Sequence, residues 1–489
     1  MMSPSIEPFN EVKYKALIDG LECSEINLCY VRRKFLRIDA EYYQKNNLIL
    51  ESIIEAEQGK TISSHNGKTD CSAFYPSITG YYSDDKNDIP FLRVNEIVNG
   101  LVVVSDKTVF LPEEVLKANS KTIALAYPGD IIIAKGGNTL AKVGLVTNEY
   151  SVYATCRDVI ILRTDKITDL NKFYLWAYLH SSFGQKMMWR SASQTGQPHL
   201  TLKSIDMIHV PEYCAVLQNA VERLYNQSVS LKQRSQKEYS SATELLEEVL
   251  NIPLISGGGV SVKNISESFR TTGRLDAEYY QEKYQIYESA VRSSTQGYTY
   301  IKDAFFSVKE KCLRDRSFYD YVEIGDIDIE TGKATFNTIN TEKLPENAKI
   351  MTKKGDVLVS TVRPNRGAVS VLEEDGLLVS GAFAVLRESG KYPKEVLQVV
   401  LRTTMYKDWL LRFNVGTSYP VIKNEDVLNI PIPLLEESAK QNIVSRVKEA
   451  VVLRRQSQQL LKYAKITVET AIEQGEEAAL AWLNQRMGE

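Results

Sequence analysis

The stretch R-I-D-A-E-Y-Y-Q at Arg37 to Gln44 occurs a second time as R-L-D-A-E-Y-Y-Q at Arg274 to Gln281. Seven of the eight positions are identical, and the eighth exchanges Ile38 for Leu275. A repeated octapeptide points to internal duplication, which requires other landmarks to recur in the same order. They do. Arg37 to Arg274 is an offset of 237, shared by Glu51-Ser52 and Glu288-Ser289. L-R-V-N-E-I around Val94 meets V-E-I-G-D-I around Ile324 at an offset of 230. P-G-D-I-I-I from Pro128 meets K-G-D-V-L-V from Lys354 at 226. The segment Pro198 to Pro211 meets Pro420 to Pro433 at 222, and Gln218-Asn219 meets Gln441-Asn442 at 223. Shrinking offsets with constant order mean that surface loops shortened while the core elements were kept.

The 489 residues then divide into two repeats of roughly 220, each large enough for its own core. Within the first repeat, apolar spacing predicts a helix from Asp39 to about Glu57 and a polar loop over 58–88. Short β-rich runs follow at Phe91 to Ile97, Leu101 to Val104, Asp130 to Ala134, Val143 to Val146 and Asp158 to Leu162, with a helix over Asn171 to Met188. A polar connector leads into Leu200 to Val210 and stops at Pro211. This is an α+β pattern. From Glu212 to Leu250 there is no Gly or Pro, and apolar residues recur at three-and-four spacing. That predicts a helix of about 38 residues and about 57 Å, too long for one small domain and in need of a partner helix. Glu436 to Glu473 supplies one, and a further helical turn or two is expected after Gly475. Asn251-Ile252-Pro253 and Gly257-Gly258-Gly259 form the clearest linker. The expected division is 1–211, a first long helix over 212–252, a second globular copy over 264–433, and a second long helix with tail over 434–489.

Composition excludes more than it selects. A net charge of −3 argues against a general polycation but leaves local basic patches open. The six cysteines (Cys23, Cys29, Cys71, Cys156, Cys214, Cys312) form no C-x-x-C pair, so reduced cytosolic thiols are expected. The N-terminal stretch lacks a basic-then-apolar leader, and no run approaches 18 apolar residues; a cytoplasmic protein that does not span a membrane is expected. There is no phosphate-binding G-x-x-x-x-G-K-[ST], no H-E-x-x-H, no G-x-S-x-G and no methyl-donor G-x-G loop. Four scattered histidines do not suggest a metal cluster. Asp130-Ile131-Ile132-Ile133-Ala134-Lys135 has the outline of a nuclease strand, but position 133 is Ile and the second copy has no lysine after its strand. A turn before a buried strand explains it better, because a metal-dependent nuclease needs paired acids. The chain is expected to be catalytically inactive.

Taken together, R-x-D-A-E-Y-Y-Q opening each copy, G-D-I-I-I before a Gly-rich turn, and P-x-L-x7-I-x-V-P running into a long helix resemble the specificity subunits of type I restriction-modification systems. The resemblance spans about Asn27 to Glu473. It implies two tandem α+β target-recognition domains separated by two long antiparallel helices, each domain reading one half of a bipartite, asymmetric double-stranded DNA target. It also implies that two methyltransferase subunits dock on the helices and that restriction (motor-nuclease) subunits join for cleavage. This chain would bind no cofactor; methyl donor, Mg²⁺ and ATP belong on the partner subunits. A helical rod of fixed length would hold half-sites at a fixed separation.

Residues that differ around the shared frame are candidates for reading DNA. They are Lys135, Gly136, Gly137, Asn138 and Lys142 in the first copy, and Arg363, Asn365 and Arg366 in the second. Arg suits guanine, Asn adenine and Lys phosphate, although Gly136-Gly137-Asn138 also reads as a hairpin turn. Gln197 in the connector pairs with Thr417, Ser418 and Tyr419, either as DNA contacts or as structural connectors. Lys311, Arg314 and Arg316, with Lys309, form a basic loop beside Phe318 and Tyr319 that is either a phosphate track or a solvated loop. The repeated Arg37, Asp39, Glu41, Tyr42 and Tyr43, with Arg274, Asp276, Glu278, Tyr279 and Tyr280, read as framework, since domains for different half-sites would not read with identical residues. The competing class is a protein-assembly scaffold without sequence-specific DNA binding.

Overall fold

A computed structural model describes residues 9–33, 37–57, 59–193, 197–250, 261–416 and 418–488. The expected linker over 251–259 lies outside the described residues. The chain forms two compact units, Met1–Ser228 with Gln458–Glu489, and Val229–Ser457. The long helices are Ala215–Leu250 and Glu437–Gln474, so the division between units falls inside each of them. Among the described residues no helix is long and apolar enough to cross a membrane.

In the first unit, Ile131–Ala134 lies inside a six-stranded sheet ordered Lys68–Asp70, Val159–Arg163, Ile131–Ala134, Val143–Leu145, Leu101–Val102, Ile97–Val98. A four-stranded sheet is ordered Val109–Leu111, Ile89–Leu92, Tyr153–Thr155, Leu125–Ala126, with the middle pair parallel. A ladder of Lys60–Thr61 with His209–Val210 ties the entry of the domain to its exit. In the second unit the order repeats: Phe305–Ser307, Phe383–Glu388, Val357–Ser360, Val369–Val371 in one sheet, and Asn337–Asn340, Phe318–Val322, Leu378–Ser380, Ala348–Met351 in the other. Its middle pair is again parallel, and Tyr298–Tyr300 pairs with Pro431–Pro433. Even register is kept. Ile133 faces Ile160 and Val143 across its ladder, while Val359 faces Ala384 and Val369. Ile131, Ile132 and Ile133 are wholly buried, which is why an unbroken apolar run rather than an alternating one marks this strand.

Three expectations need correction. The helix over 171–188 is two helices, Lys172–His180 and Ser182–Ser191. Ser181 breaks it by turning extended and capping the amide of Gly184, and a Cβ at Gly184 would come within 2.2 Å of the Tyr178 carbonyl oxygen. Apolar spacing continues through the break, so periodicity cannot reveal it; Thr403 makes the same cap between Lys394–Arg402 and Thr404–Leu411. The helix from Asp39 starts as a 3-10 turn at Ala40–Tyr43 before Lys45–Ala56. The tail is a full helix, Glu476–Met487, where Tyr463 and Trp482 meet edge to face at 5.4 Å.

The repeated octapeptide builds one network twice. Arg37 donates to both oxygens of Asp39 at 2.6 and 2.9 Å and to the carbonyls of Ser191 and Ala192 at 3.0 and 2.5 Å. Arg274 donates to Asp276 at 2.8 and 2.6 Å and to the carbonyls of Phe413 and Asn414 at 3.4 and 2.6 Å. The Tyr43 and Tyr280 hydroxyls donate back to the carbonyls of Arg37 and Arg274. A second arginine completes each network. The Arg37 and Arg190 guanidiniums lie 4.5 and 4.1 Å from the Tyr42 ring, as Arg274 and Arg412 lie 4.8 and 4.6 Å from Tyr279. Arg190 pairs with Glu51 at 2.8 Å and Arg412 with Glu288 at 3.4 Å, which accounts for the repeated Glu-Ser. The other acid of the motif diverges. Among the described residues Glu278 accepts from Tyr284 and Gln281, whereas Glu41 offers its main-chain carbonyl to Asn47.

In the second unit the two helical halves run antiparallel, with Ser235 Oγ donating to the Ala450 carbonyl at 2.7 Å and Arg446 pairing with Glu238 at 2.7 Å. Ala242, Leu246, Ile443 and Val447 join its core. In the first unit Leu217, Val221 and Leu224 are buried from one long helix and Ala464, Val468 and Ala471 from the other.

The two ion pairs differ in burial, at 1% and 4% exposure for Arg190 and Glu51 but 17% and 32% for Arg412 and Glu288. Removing one partner of a buried pair strands a charge and costs about 3–5 kcal/mol, whereas exposed pairs contribute about 1 kcal/mol or less. Glu51→Ala is therefore expected to destabilise its unit by several times more than Glu288→Ala in urea unfolding followed unit by unit. Equal losses would show that the two networks bear equal load. At Gly355, whose φ is +90°, alanine is expected to cost about 1–2 kcal/mol by the same measurement.

Candidate nucleic-acid interface

Both candidate turns grow from a fixed point. Asp130 and Asp356, each after a left-handed glycine, are buried before the central strand. Asp130 accepts from the Tyr127 amide at 2.9 Å and from Arg163 at 2.8 Å. Asp356 accepts from the Lys353 amide at 2.8 Å and from Arg387 through two bonds of 2.7 Å. The hydrogen bonds with Asp356 raise the Arg387 pKa further. These acids face arginines in both copies, so they serve as strand anchors.

At the far end of the strand the chain turns over 135–142 and over 361–368. Gly137–Thr139 and Pro364–Arg366 form matching 3-10 turns. Gly137 has a φ of +72°, and the residue at its place in the second copy is Arg363 with a φ of +49°. A non-glycine residue held there costs about 1 kcal/mol or more and calls for a reason specific to its side chain. Arg363, Asn365 and Arg366 are all exposed, while Pro364 is buried beneath them. In the first copy Asn138 is exposed and Lys135 is half-buried. Lys142 is half-buried as well, and burial lowers its pKa despite the opposing field of Glu96.

The second pair of candidates packs on these turns. The Leu200 amide donates to the Lys135 carbonyl at 2.8 Å, and His199 bridges both Gly136 and Ser193. A Cβ at Gly136 would fall 2.5 Å from His199 Nδ1, so this close approach requires glycine. The exposed Gln197 reaches over Gly137, where a Cβ would meet its Nε2 at 3.4 Å. Correspondingly, the Arg363 amide donates to the Pro420 carbonyl at 2.7 Å, Val362 bridges Val421, and the Arg363 guanidinium lies 5.6 Å from the Tyr419 ring. Ser418 is exposed beside it, and Thr417 lies outside the described residues. The structure thus joins Lys135, Gly136, Gly137 and Gln197 into one surface, and Arg363 and Tyr419 into its counterpart.

The basic loop stands apart from these. Arg314, at a φ of +55°, donates to the Pro345 carbonyl at 2.9 Å, Lys311 bridges Ile350, and Arg316 lies 5.9 Å from the Tyr319 ring. Lys311, Arg314 and Arg316 are exposed, and the loop is fastened to the edge strand Ala348–Met351. Its topological counterpart is the connection 71–88, part of the expected polar loop, which carries four aromatic residues, Phe74, Tyr75, Tyr81 and Tyr82.

No family model matches the chain. The specificity subunit of the type I restriction enzyme MjaVIII from Methanocaldococcus jannaschii is 20% identical over 416 residues, covering 83% of this chain and 88% of that one. Among solved structures, the type I restriction-modification S subunit from M. genitalium aligns with 85% of this chain and 94% of its own at 13% identity and a TM-score of 0.33. The HsdS subunit from Thermoanaerobacter tengcongensis aligns with 84% and 97% at 14% identity and a TM-score of 0.26. Overall superposition is weak in both cases, so the likeness rests on sequence. By its duplicated motif order and a sequence match along most of both chains, this protein is similar to the specificity subunits of type I restriction-modification systems.

Proposed function

We propose that the chain is the DNA-specificity subunit of a type I restriction-modification complex and has no catalysis of its own. In this reading each unit contacts one half of a bipartite, asymmetric duplex target, and the long helices set the spacing and receive two methyltransferase subunits. Restriction subunits complete the assembly. Methyl donor, Mg²⁺ and ATP are ligands of those partners, and the complex works in the cytoplasm.

One observation carries the proposal. A single framework, repeated in strand order, register and ion-pair network, presents different side chains at the same turn: Lys135-Gly136-Gly137-Asn138 in one copy and Arg363-Pro364-Asn365-Arg366 in the other. Identical frames with different exposed donors are what reading two unlike half-sites requires. Lysine supplies a point charge for phosphate, and arginine a planar fork that matches the guanine O6/N7 edge.

The test uses the chain assembled with its methyltransferase subunits. Lys135→Ala is expected to weaken binding to all duplexes alike and to lower the salt slope of log K by about 1. Arg363→Gly, which installs the residue type of the first copy, is expected to keep stability within about 1 kcal/mol while lowering discrimination at one half-site about 5- to 100-fold. Binding without salt or sequence dependence in the unsubstituted complex would instead support an assembly scaffold.

A further inference from the structure

The two copies differ most where the repeat offset falls from 237 to 230, between the strands Lys68–Asp70 and Ile89–Leu92 in the first copy and Phe305–Ser307 and Phe318–Val322 in the second. The first copy's longer connection is firmly seated. Ser72 Oγ donates to the Thr155 carbonyl at 2.6 Å and accepts from the Ala124 amide at 2.9 Å. Further along, Ser83 and Phe110 exchange two main-chain hydrogen bonds of 3.0 Å. Ile78 is buried in the core beneath it, with Tyr75 and Tyr82 packed against the same cluster. Phe74 is left 78% exposed and Tyr81 60% exposed. An anchored loop that holds rings in water is a contact surface in waiting.

This loop walls a hollow of about 580 Å³ whose rim carries Phe74, Asn95 and Arg157. Asn95 and Arg157 are exposed. The other arginine on the rim, Arg93, is occupied by Glu96 and the Lys107 carbonyl, at 3.0 and 2.8 Å. The hollow adjoins the candidate turn directly, because the Lys135 amide donates at 2.8 Å to the carbonyl of Asp158, the residue after Arg157.

The second copy provides the control. Asn95 sits in the 3-10 turn Val94–Glu96, whose acid accepts the Arg93 amide at 2.7 Å; in the matching turn Ile324–Asp326 the acid accepts the Glu323 amide at 2.8 Å, and the middle residue is Gly325. Arg157 lies two residues past Thr155, which opposes Leu92, and the residue two past Val379, which opposes Val322, is Gly381. The frame therefore folds with glycine at both places. The Asn95 amide and the Arg157 guanidinium are additions specific to one half of the molecule, lining the same hollow as an exposed phenyl ring.

We infer that Phe74, Asn95 and Arg157 form a second base-reading surface of the first unit, taking the edge of one or two base pairs of its half-site in double-stranded DNA. This deepens the proposed function and rests on it. Asparagine offers a donor and acceptor pair for adenine, arginine a fork for guanine, and the ring an apolar contact for a thymine methyl or a wedge at a flexible step. A phosphate contact alone would not need a phenyl ring.

The experiment uses the full chain with its methyltransferase subunits, methylating a randomised duplex library that is then sequenced for modified bases. The variants are Asn95→Gly and Arg157→Gly, the residues of the second copy, together with Phe74→Ser. The result expected is relaxation at one or two positions of one half-site by about ten- to a hundredfold, with the other half-site unchanged and the thermal melting of the complex retained. An unchanged motif in all three variants would overturn the inference, and so would a uniform loss on every sequence with a reduced salt slope, which marks a phosphate contact. Failure of the unsubstituted complex to select any bipartite motif would count against the proposed function itself.

Discussion

Each copy depends on one tyrosine ring held between two guanidiniums, each of which has its own carboxylate. Tyr42 lies between Arg37, paired with Asp39, and Arg190, paired with Glu51; Tyr279 lies between Arg274 and Arg412, paired with Asp276 and Glu288. The same Arg37 grips the carbonyl of Ser191, the last residue of the helix Ser182–Ser191, and that of Ala192, and Arg274 grips the carbonyls of Phe413 and Asn414, just beyond the helix Thr404–Leu411. Described residues beyond those helix ends bond onto the candidate turns. Asn414 accepts from the amides of Gly416 and Val421, and Val421 bridges Val362 beside Arg363. In the first copy the equivalent path runs through His199 to Gly136. The repeated motif thereby fixes the position of the residues proposed to contact DNA.

The same logic explains what was free to change. Main-chain bridges and buried anchors hold the turn whatever side chains it carries, so lysine, arginine, glycine and asparagine can be exchanged on it at little cost to the fold. Gly136 is an exception set by the His199 ring, and Arg363 is one in the other sense, an arginine kept where glycine would be easier. The connection before the Ile89–Leu92 strand diverged further still, to aromatic residues in one unit and basic ones in the other. Each is fastened to its own edge of its own sheet.

Much of this was legible in the sequence because duplication supplies its own comparison. The strand Ile131–Ala134 and the turn before it could be placed from the matching K-G-D-V-L-V. The pairing of the repeated Glu51 and Glu288 with Arg190 and Arg412 was not legible, because the offset is 237 for the acids and 222 for the arginines and no local pattern links them. Helix breaks at Ser181 and Thr403 escaped for a different reason: a serine or threonine cap does not interrupt the apolar spacing on either side. Asn95 and Arg157 look like ordinary surface residues until register pairs them with Gly325 and Gly381.

The central claim is that two copies of one frame read two different halves of one DNA target. The most direct measurement is a genome-wide map of methylated bases in cells carrying the partner methyltransferase subunits, with this chain present and deleted. The account expects a split, asymmetric motif whose methylation disappears on deletion and returns on complementation. Methylation unchanged by deletion, with the methyltransferase subunits present and active, would contradict it.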